Sequence, residues 1–180
     1  MSQVVILSGP SGAGKSSVAE ALAQRYDRTV HLETDVLFRA IRMGFVHPML
    51  PESDRQNRMI ARAAARAAGA FAQELFAVFI DGVIGPHLLP IYIDELRVAA
   101  VPVHFVLLLP SVEESVRRVA PRTAGRRMIE AEHRELHRQF AECREFVGCI
   151  IDNTSMTAEE TADAVMDACG RGDCLVYTPA

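Results

Sequence analysis

The chain has 180 residues, enough for one domain with a substantial core, and its 49% hydrophobic and 23% charged content is typical of a globular protein. A formal net charge of −4 argues against nucleic acid as the main partner. No apolar run approaches the ~18 residues of a membrane span. Because no basic segment precedes the first apolar run, residues 1–7 are expected to form a core strand rather than a signal peptide.

The first motif lies between a predicted strand at residues 4–7 and a predicted helix at 17–25. The stretch Gly9-Pro10-Ser11-Gly12-Ala13-Gly14-Lys15-Ser16 fits the P-loop pattern of Gly, four residues, Gly-Lys-Ser/Thr. Such a loop binds phosphate through successive backbone N–H groups and the N-terminus of the following helix. The predicted nucleotide-binding residues are Gly9, Ser11, Gly12, Ala13, Gly14, Lys15, Ser16 and Ser17.

Lys15 is the only lysine in the chain, since every other residue in the Lys+Arg count of 19 is arginine. A compact ammonium reaches the β- and γ-phosphates in a pocket that a planar guanidinium fits badly. We therefore predict a catalytic role for Lys15. The hydroxyl of Ser16 is placed to ligate Mg²⁺, so ATP and Mg²⁺ are the expected cofactors.

Two acids lie at the end of the second predicted strand, which covers residues 30–33. In parallel α/β sheets the carboxyl ends of strands line the ligand crevice, so Glu33 and Asp35 are expected near the P-loop if the two strands are neighbours. Alternation along a strand would put both side chains on one side. Asp35 is predicted to accept the proton of an attacking hydroxyl, with a helix N-cap as the alternative. Glu33 is expected to hold a water of the magnesium shell.

A helix is predicted at residues 36–43, followed by an irregular segment, 44–51, that is unusually apolar for a loop. This segment is expected to cap the core or to line a substrate pocket. Arg39 and His47 are candidate substrate contacts in this region.

A long helix is predicted from residue 53 or 54 to about residue 75. Arg58, Arg62 and Arg66 fall on one of its faces at four-residue spacing. A solvated basic face is the favoured interpretation, and a face turned to an anionic ligand is the alternative.

The third predicted strand, 76–81, ends on an acid, and a loop over residues 82–87 follows it. Two roles are open for Asp81: a magnesium ligand of the Walker-B kind, or a contact to a substrate hydroxyl, because Gly82 and Gly85 leave room beside it. Asp81, Gly82 and His87 are therefore candidate substrate contacts.

A fourth strand is predicted at residues 103–109, and a helix follows it. The next segment, about 118–130, is predicted to be a lid. Its vicinity carries five arginines within eleven positions: Arg117, Arg118, Arg122, Arg126 and Arg127. An arginine-bearing lid that closes over the γ-phosphate neutralises charge and excludes water. Arg122 and Arg126 lie in the break between helices and are predicted to be catalytic; a solvated turn is the alternative.

A charged helix is predicted at residues 128–146, with His133 and His137 four positions apart. In a metalloprotease helix the acid directly follows the first histidine, so solvated histidines are favoured here over a zinc site. The remaining elements are a strand at 148–152, a helix at 157–169 and a tail at about 170–180. Five apolar strands that alternate with helices predict a parallel sheet covered on both faces.

The four cysteines include no CxxC pair, which indicates reduced thiols in a cytoplasmic protein. A bridge between Cys169 and Cys174 is the less favoured alternative.

With these motifs the chain resembles the small-molecule kinases of the P-loop superfamily, among them shikimate kinase, gluconate kinase and chloramphenicol phosphotransferase. Glu33-Thr34-Asp35 is similar to the acid-x-acid element of shikimate kinases. In chloramphenicol phosphotransferase an Asp at the matching place is the proposed base, which implies that role for Asp35. The resemblance also implies that Arg118 or Arg122, with residues 152–155, holds the adenine.

The resemblance implies an α/β fold, a P-loop NTPase of the nucleoside-kinase-like type: a three-layer sandwich with a five-stranded parallel sheet and an arginine-bearing lid. It implies no particular substrate, because the arginine motif that follows strand two in shikimate kinases and the His-Phe pair that follows the lid in gluconate kinases are both missing.

We therefore expect residues 1–180 to form a single kinase domain that transfers the γ-phosphate of ATP to a hydroxyl of a small molecule, such as an antibiotic or a sugar acid. The apolar stretch at 45–50 favours an acceptor with a hydrophobic part. A nucleoside or nucleotide kinase, and a non-catalytic nucleotide-binding switch or toxin-like module, are the alternatives. No nucleic acid or membrane partner is expected, and the protein is expected to be a monomer or a homodimer.

Overall fold

Apolar strands and amphipathic helices alternate along the chain, and a computed structural model of the protein describes residues 2–119, 130–144 and 148–179. The strands of the described part are β1 (Gln3–Ser8), β2 (Thr29–Glu33), β3 (Ala77–Gly82), β4 (Val103–Leu108), β5 (Cys149–Ile151) and β6 (Leu175–Tyr177). Its helices are α1 (Lys15–Ala23), α2 (Thr34–Ala40), α3 (Asp54–Gln73), α4 (Leu89–Leu96), α5 (Val112–Val119), α6 (Glu130–Glu142) and α7 (Ala158–Arg171). None of these helices is long and apolar enough to cross a membrane.

The five predicted strands form a parallel sheet in the order β2-β3-β1-β4-β5. A sixth strand, β6, pairs antiparallel with β4 through Val103 and His104. The prediction of a tail at 170–180 is therefore wrong for residues 175–177. The pairing is held at its start by the backbone N–H of Phe105, which donates to the carbonyl of Cys174 over 2.8 Å.

Two of the four cysteines form a disulfide, Cys149 to Cys174, so the expectation of four reduced thiols is wrong for this pair. The alternative bridge is also wrong, because Cys169 is a free thiol. The bridge forms because β5 and the turn before β6 both lie against β4, a neighbourhood that cysteine spacing does not reveal. Burial raises the pKa of the Cys169 thiol to about 11.

Helices cover both faces of the sheet and give three layers. The helices α3, α4 and α6 pack on one face, whereas α1 and α7 pack on the other. Small side chains let α3 approach the sheet closely, and its buried alanines are Ala61, Ala64, Ala65, Ala68 and Ala72. The opposite side of α3 carries its arginines. Arg58 pairs with Asp54 and Arg66 with Glu95, both at 2.8 Å, which confirms the solvated basic face.

Helix α6 buries the two histidines that were expected to be solvated. His133 is 3% exposed and His137 is 9% exposed, so that prediction is wrong. They share a stripe with Leu136 and Phe140 at positions i, i+3, i+4 and i+7, which is the face that a helix turns to a core. The charged residues between them occupy the outer face and obscure the stripe in the sequence.

Candidate active site

The P-loop is held in a conformation that requires glycine. Gly9, Gly12 and Gly14 have φ angles of +147°, +79° and +87°. A Cβ on Gly9 would lie 2.3 Å from the carbonyl oxygen of Leu108, and one on Gly12 would lie 2.3 Å from that of Ser115. The loop is therefore pressed against the end of β4 and against α5, where a side chain would not fit.

Lys15 is the first residue of α1, with left-handed Gly14 as the N-cap. No side chain in the described part caps this helix, so its first N–H groups can serve an anion. The Lys15 Nζ donates to the carbonyl oxygens of Gly9 and Pro10, at 3.0 Å each. The ammonium is thus held at the loop by weak neutral acceptors, which a phosphate oxygen can replace with a stronger, charge-assisted contact.

Asp81 is the acid that the fold brings to the P-loop. It is 4% exposed, and β3 lies beside β1 with Asp81 opposite Leu7. Burial by itself would raise the pKa of Asp81, but His31, the Ser16 hydroxyl and the Lys15 ammonium outweigh burial and lower the pKa. The carboxylate is therefore ionised at neutral pH, and it interacts with the Ser16 hydroxyl and with the charge of the Lys15 ammonium.

His31 is a site residue that the sequence analysis missed. Its Nε2 lies 3.2 Å from Oδ2 of Asp81, an ion-pair distance without the alignment of a good hydrogen bond. The Asp81 carboxylate raises the pKa of His31. Alternation along β2 could have indicated this residue, because His31 and Glu33 share one side of the strand.

Asp35 and Glu33 lie farther from the P-loop strand than their sequence positions suggested. Strand β3 lies between β1 and β2, so the condition that the first two strands be neighbours is not met. Strand β2 ends at Glu33, and Asp35 lies in the first turn of α2, so alternation along a strand does not relate the two side chains. Asp35 is not the N-cap, a position taken by Glu33, whose Oε2 is 3.9 Å from Arg39. The roles of Asp35 as base, Glu33 as metal contact and Arg39 as substrate contact stay predictions.

The room expected beside Gly82 is filled. A Cβ on Gly82 would lie 2.2 Å from Oγ1 of the buried Thr34, so that part of the prediction is wrong. The space at Gly85 is taken by the ring of His87, 2.8 Å from a Cβ placed there. His87 is exposed in a short 3-10 helix, Pro86–Leu88, and His47 is exposed on a loop. Contacts of either histidine to a substrate stay predictions.

A cleft of about 570 Å³ opens beside the P-loop. It is lined by Gly12, Gly14, Ser17, Val18, Glu114, Arg117, Arg118, Thr161 and residues 153–158. Arg118 Nη2 donates to the carbonyl of Asn153 over 2.9 Å, and Asn153 Nδ2 donates to the carbonyl of Ala13 over 2.9 Å. The segment after β5, which the family resemblance implied for adenine, is therefore tied directly to Arg118 and to the P-loop. The role of Asn153 as this tie was not foreseen.

Glu114 orients the arginines of this cleft. Its Oε1 accepts from Arg118 Nε over 2.7 Å, and Arg117 and Arg118 hold the pKa of Glu114 at about 2. The predicted catalytic arginines, Arg122 and Arg126, lie outside the described residues, as does most of the predicted lid.

Ser16 and Asp81 are a donor set that fits Mg²⁺. The ion prefers oxygen ligands and takes the rest of its octahedral shell from phosphate oxygens and water. Within residues 2–119, 130–144 and 148–179 no cluster of three or more His, Cys, Asp or Glu side chains could hold a metal ion by itself. In P-loop proteins the phosphates of the nucleotide complete the magnesium shell.

The chain is similar in family and fold to several known proteins. A family model described as "AAA domain" (AAA_33) matches residues 4–146. The tunicamycin resistance protein of Deinococcus radiodurans superposes with a TM-score of 0.70 at 18% identity, over 100% of both chains. Shikimate kinase of Acinetobacter baumannii gives 0.62 at 18% identity, covering 96% of this chain and 94% of that one. A gluconokinase of Sinorhizobium meliloti gives 0.63 at 23% identity, with the same coverage.

A sequence search among curated proteins finds no match. The structural similarities, at these identities, establish the fold, and with the family match they confirm the predicted P-loop, nucleoside-kinase-like architecture.

Proposed function

This chain belongs to the AAA-domain family, within the P-loop kinase group, and on that basis we propose that it is an ATP- and Mg²⁺-dependent kinase that phosphorylates a hydroxyl of a small molecule. The observation that carries the proposal is the position of Asp81. A buried, ionised carboxylate stands beside the Lys15 ammonium and the Ser16 hydroxyl, at the loop where the triphosphate would bind.

In this proposal, Lys15 exchanges its contacts to the carbonyls of Gly9 and Pro10 for the β- and γ-phosphates. Ser16 and Asp81 hold Mg²⁺, which when bound neutralises charge on the phosphate oxygens. The adenine occupies the cleft beside Arg118, and Arg122 and Arg126 belong to a lid that closes over the transfer. Phosphoryl transfer needs mainly positioning and charge neutralisation, and these residues supply both.

The acceptor would bind on the β2 side, where Asp35 is the proposed base. The loop that follows α2 exposes apolar side chains, among them Met43 at 89% and Phe45 at 48%. This loop is pinned to α3, because Gln56 exchanges two hydrogen bonds with the backbone of Val46, at 2.9 and 2.7 Å. Fixed, exposed apolar groups favour an acceptor with a hydrophobic part. The name of the D. radiodurans protein makes antibiotics a class worth testing.

The test measures ADP formation from ATP and Mg²⁺ with a panel of hydroxylated metabolites, sugar acids, antibiotics and nucleosides. We expect one acceptor class to stimulate ADP release. We expect Asp81→Asn to lower kcat by about 100-fold or more, and Asp35→Asn, which removes the proposed base, to do the same. Asp94→Asn, an exposed acid on α4, is the matched control and should leave kcat unchanged.

Three outcomes would contradict parts of the proposal. Full activity of Asp35→Asn would remove the assigned base. Stimulation only by nucleosides or nucleotides would favour the nucleoside kinase alternative. ATP binding with ADP release that no acceptor increases would favour a non-catalytic nucleotide switch. A cytoplasmic location and a monomeric or dimeric state are part of the proposal and need separate measurement.

A further inference from the structure

Helix α6 turns four side chains inward, and three of them have partners. Leu136 and Phe140 lie in the core cluster beneath the sheet. His137 Nε2 lies 2.7 Å from the carbonyl oxygen of Pro110 and donates to it. His133 is the exception: it is 3% exposed, yet neither ring nitrogen has a hydrogen-bond partner in the described part of the chain. Buried polar groups are nearly always paired, so an unpaired imidazole calls for an explanation.

The partners of α6 place His133 beyond the carboxyl edge of the sheet. Phe140 packs against the face of the sheet that α3 and α4 also cover. His137 bonds to Pro110, which lies two residues beyond the carboxyl end of β4. His133 is four residues, about 6 Å along the helix axis, farther in the same direction. The P-loop lies at this edge too, because Gly9 closely approaches the carbonyl of Leu108, the last residue of β4.

Burial and the positive charges nearby favour the neutral form of the His133 ring. Burial, His137, Arg134 and Lys15 lower the pKa of His133, and among the described residues Glu130 acts in the opposite direction. The influence of Lys15 agrees with the placement of His133 near the P-loop. A neutral imidazole carries one N–H donor, which can serve a phosphate oxygen without a second buried positive charge.

We propose that His133 donates a hydrogen bond to the terminal phosphate of the bound nucleotide, on the side of the P-loop opposite α1. This inference rests on the proposed function only in taking a nucleoside triphosphate as the ligand. The phosphate would supply the partner that the buried ring lacks. His133 would then contact the γ-phosphate, which a diphosphate lacks. It would therefore favour a nucleoside triphosphate over a nucleoside diphosphate.

The test compares the affinities of a β,γ-imido ATP analogue and of ADP, both with Mg²⁺, by calorimetry in the absence of any acceptor. We expect His133→Leu to weaken binding of the analogue by about 10- to 100-fold, the range for a hydrogen bond to a charged group, and to leave ADP affinity within about twofold. His133→Gln keeps a donor and should restore part of the loss. Because the leucine removes an unpaired buried ring, resistance to urea should be unchanged or higher.

His137→Leu is the matched control on the same face of α6. It removes a hydrogen bond to Pro110, so it should lower resistance to urea and affect the two nucleotides equally. The proposal is overturned if His133→Leu binds both nucleotides like the unaltered protein, or loses affinity for both to the same extent. Since no acceptor is present, failure to find a phosphorylated product would count against the proposed function and leave this result intact.

Discussion

The contribution of the hydrogen bond from Asn153 to the P-loop can be tested with Asn153→Ala. The Asn153 amide is 2% exposed and donates over 2.9 Å to the carbonyl of Ala13, a residue that is fully buried. Leaving a buried carbonyl without a donor costs about 1–3 kcal/mol. The Oδ1 of Asn153 is itself buried without a partner, so the substitution also removes a polar atom that is costly in the folded state. We therefore expect a loss of about 1–2 kcal/mol, in the lower half of that range.

Urea unfolding and ATP titration should be measured together, because the bond links stability to the shape of the nucleotide site. We expect Asn153→Ala to lower the free energy of unfolding as above and to weaken ATP binding about tenfold, as the P-loop loses its support (~1.4 kcal/mol). Asn57→Ala is the control, because Asn57 Nδ2 donates over 2.9 Å to the carbonyl of Pro48, away from the P-loop. It should lower stability similarly and leave ATP affinity unchanged. Equal effects of the two variants on ATP affinity would refute the reasoning.

Three further predictions concern stability. The Cys149–Cys174 disulfide spans 25 positions, so the double serine variant should lose about 3 kcal/mol relative to the oxidised protein in urea unfolding, with no further loss in dithiothreitol. Asp81 raises the pKa of His31 above its ordinary 6.5, so their attraction stabilises the fold fully below pH 6.5 and is lost as pH rises through the raised pKa. The melting temperature should therefore fall as pH rises through this range, and His31→Gln should abolish the fall. A fall that persists in the variant would show that another group causes it. Thr157→Ala breaks the capping box with Glu160 at the start of α7 and should cost about 1 kcal/mol, whereas unchanged melting would contradict it.

Local features could be predicted from the sequence because their causes lie within a few neighbouring residues. The P-loop follows from the glycine and lysine spacing at 9–16, and the class of fold from the alternation of apolar strands with helices. The capping pair Thr157 and Glu160 is likewise a matter of three residues' separation, and the structure contains it. Each of these features depends on the separation of residues along the sequence and on the period of a strand or a helix. Both can be read from the sequence without knowing the fold.

Features that depend on which elements become neighbours were decided by the tertiary structure. Strand order put β3 rather than β2 beside the P-loop strand, so Asp81 lies at the carboxyl end of a strand next to the P-loop and feels the charge of Lys15. The same non-local packing paired Cys149 with Cys174. It also buried His133 on the inner face of α6, a helix whose sequence is mostly charged and polar. The period of a strand or helix determines which face is apolar, but not which surface covers that face. The covering surface is chosen by the packing of the whole sheet with its helices. Each segment contributes only a small part of that packing energy, so the sequence of one segment does not reveal its neighbours.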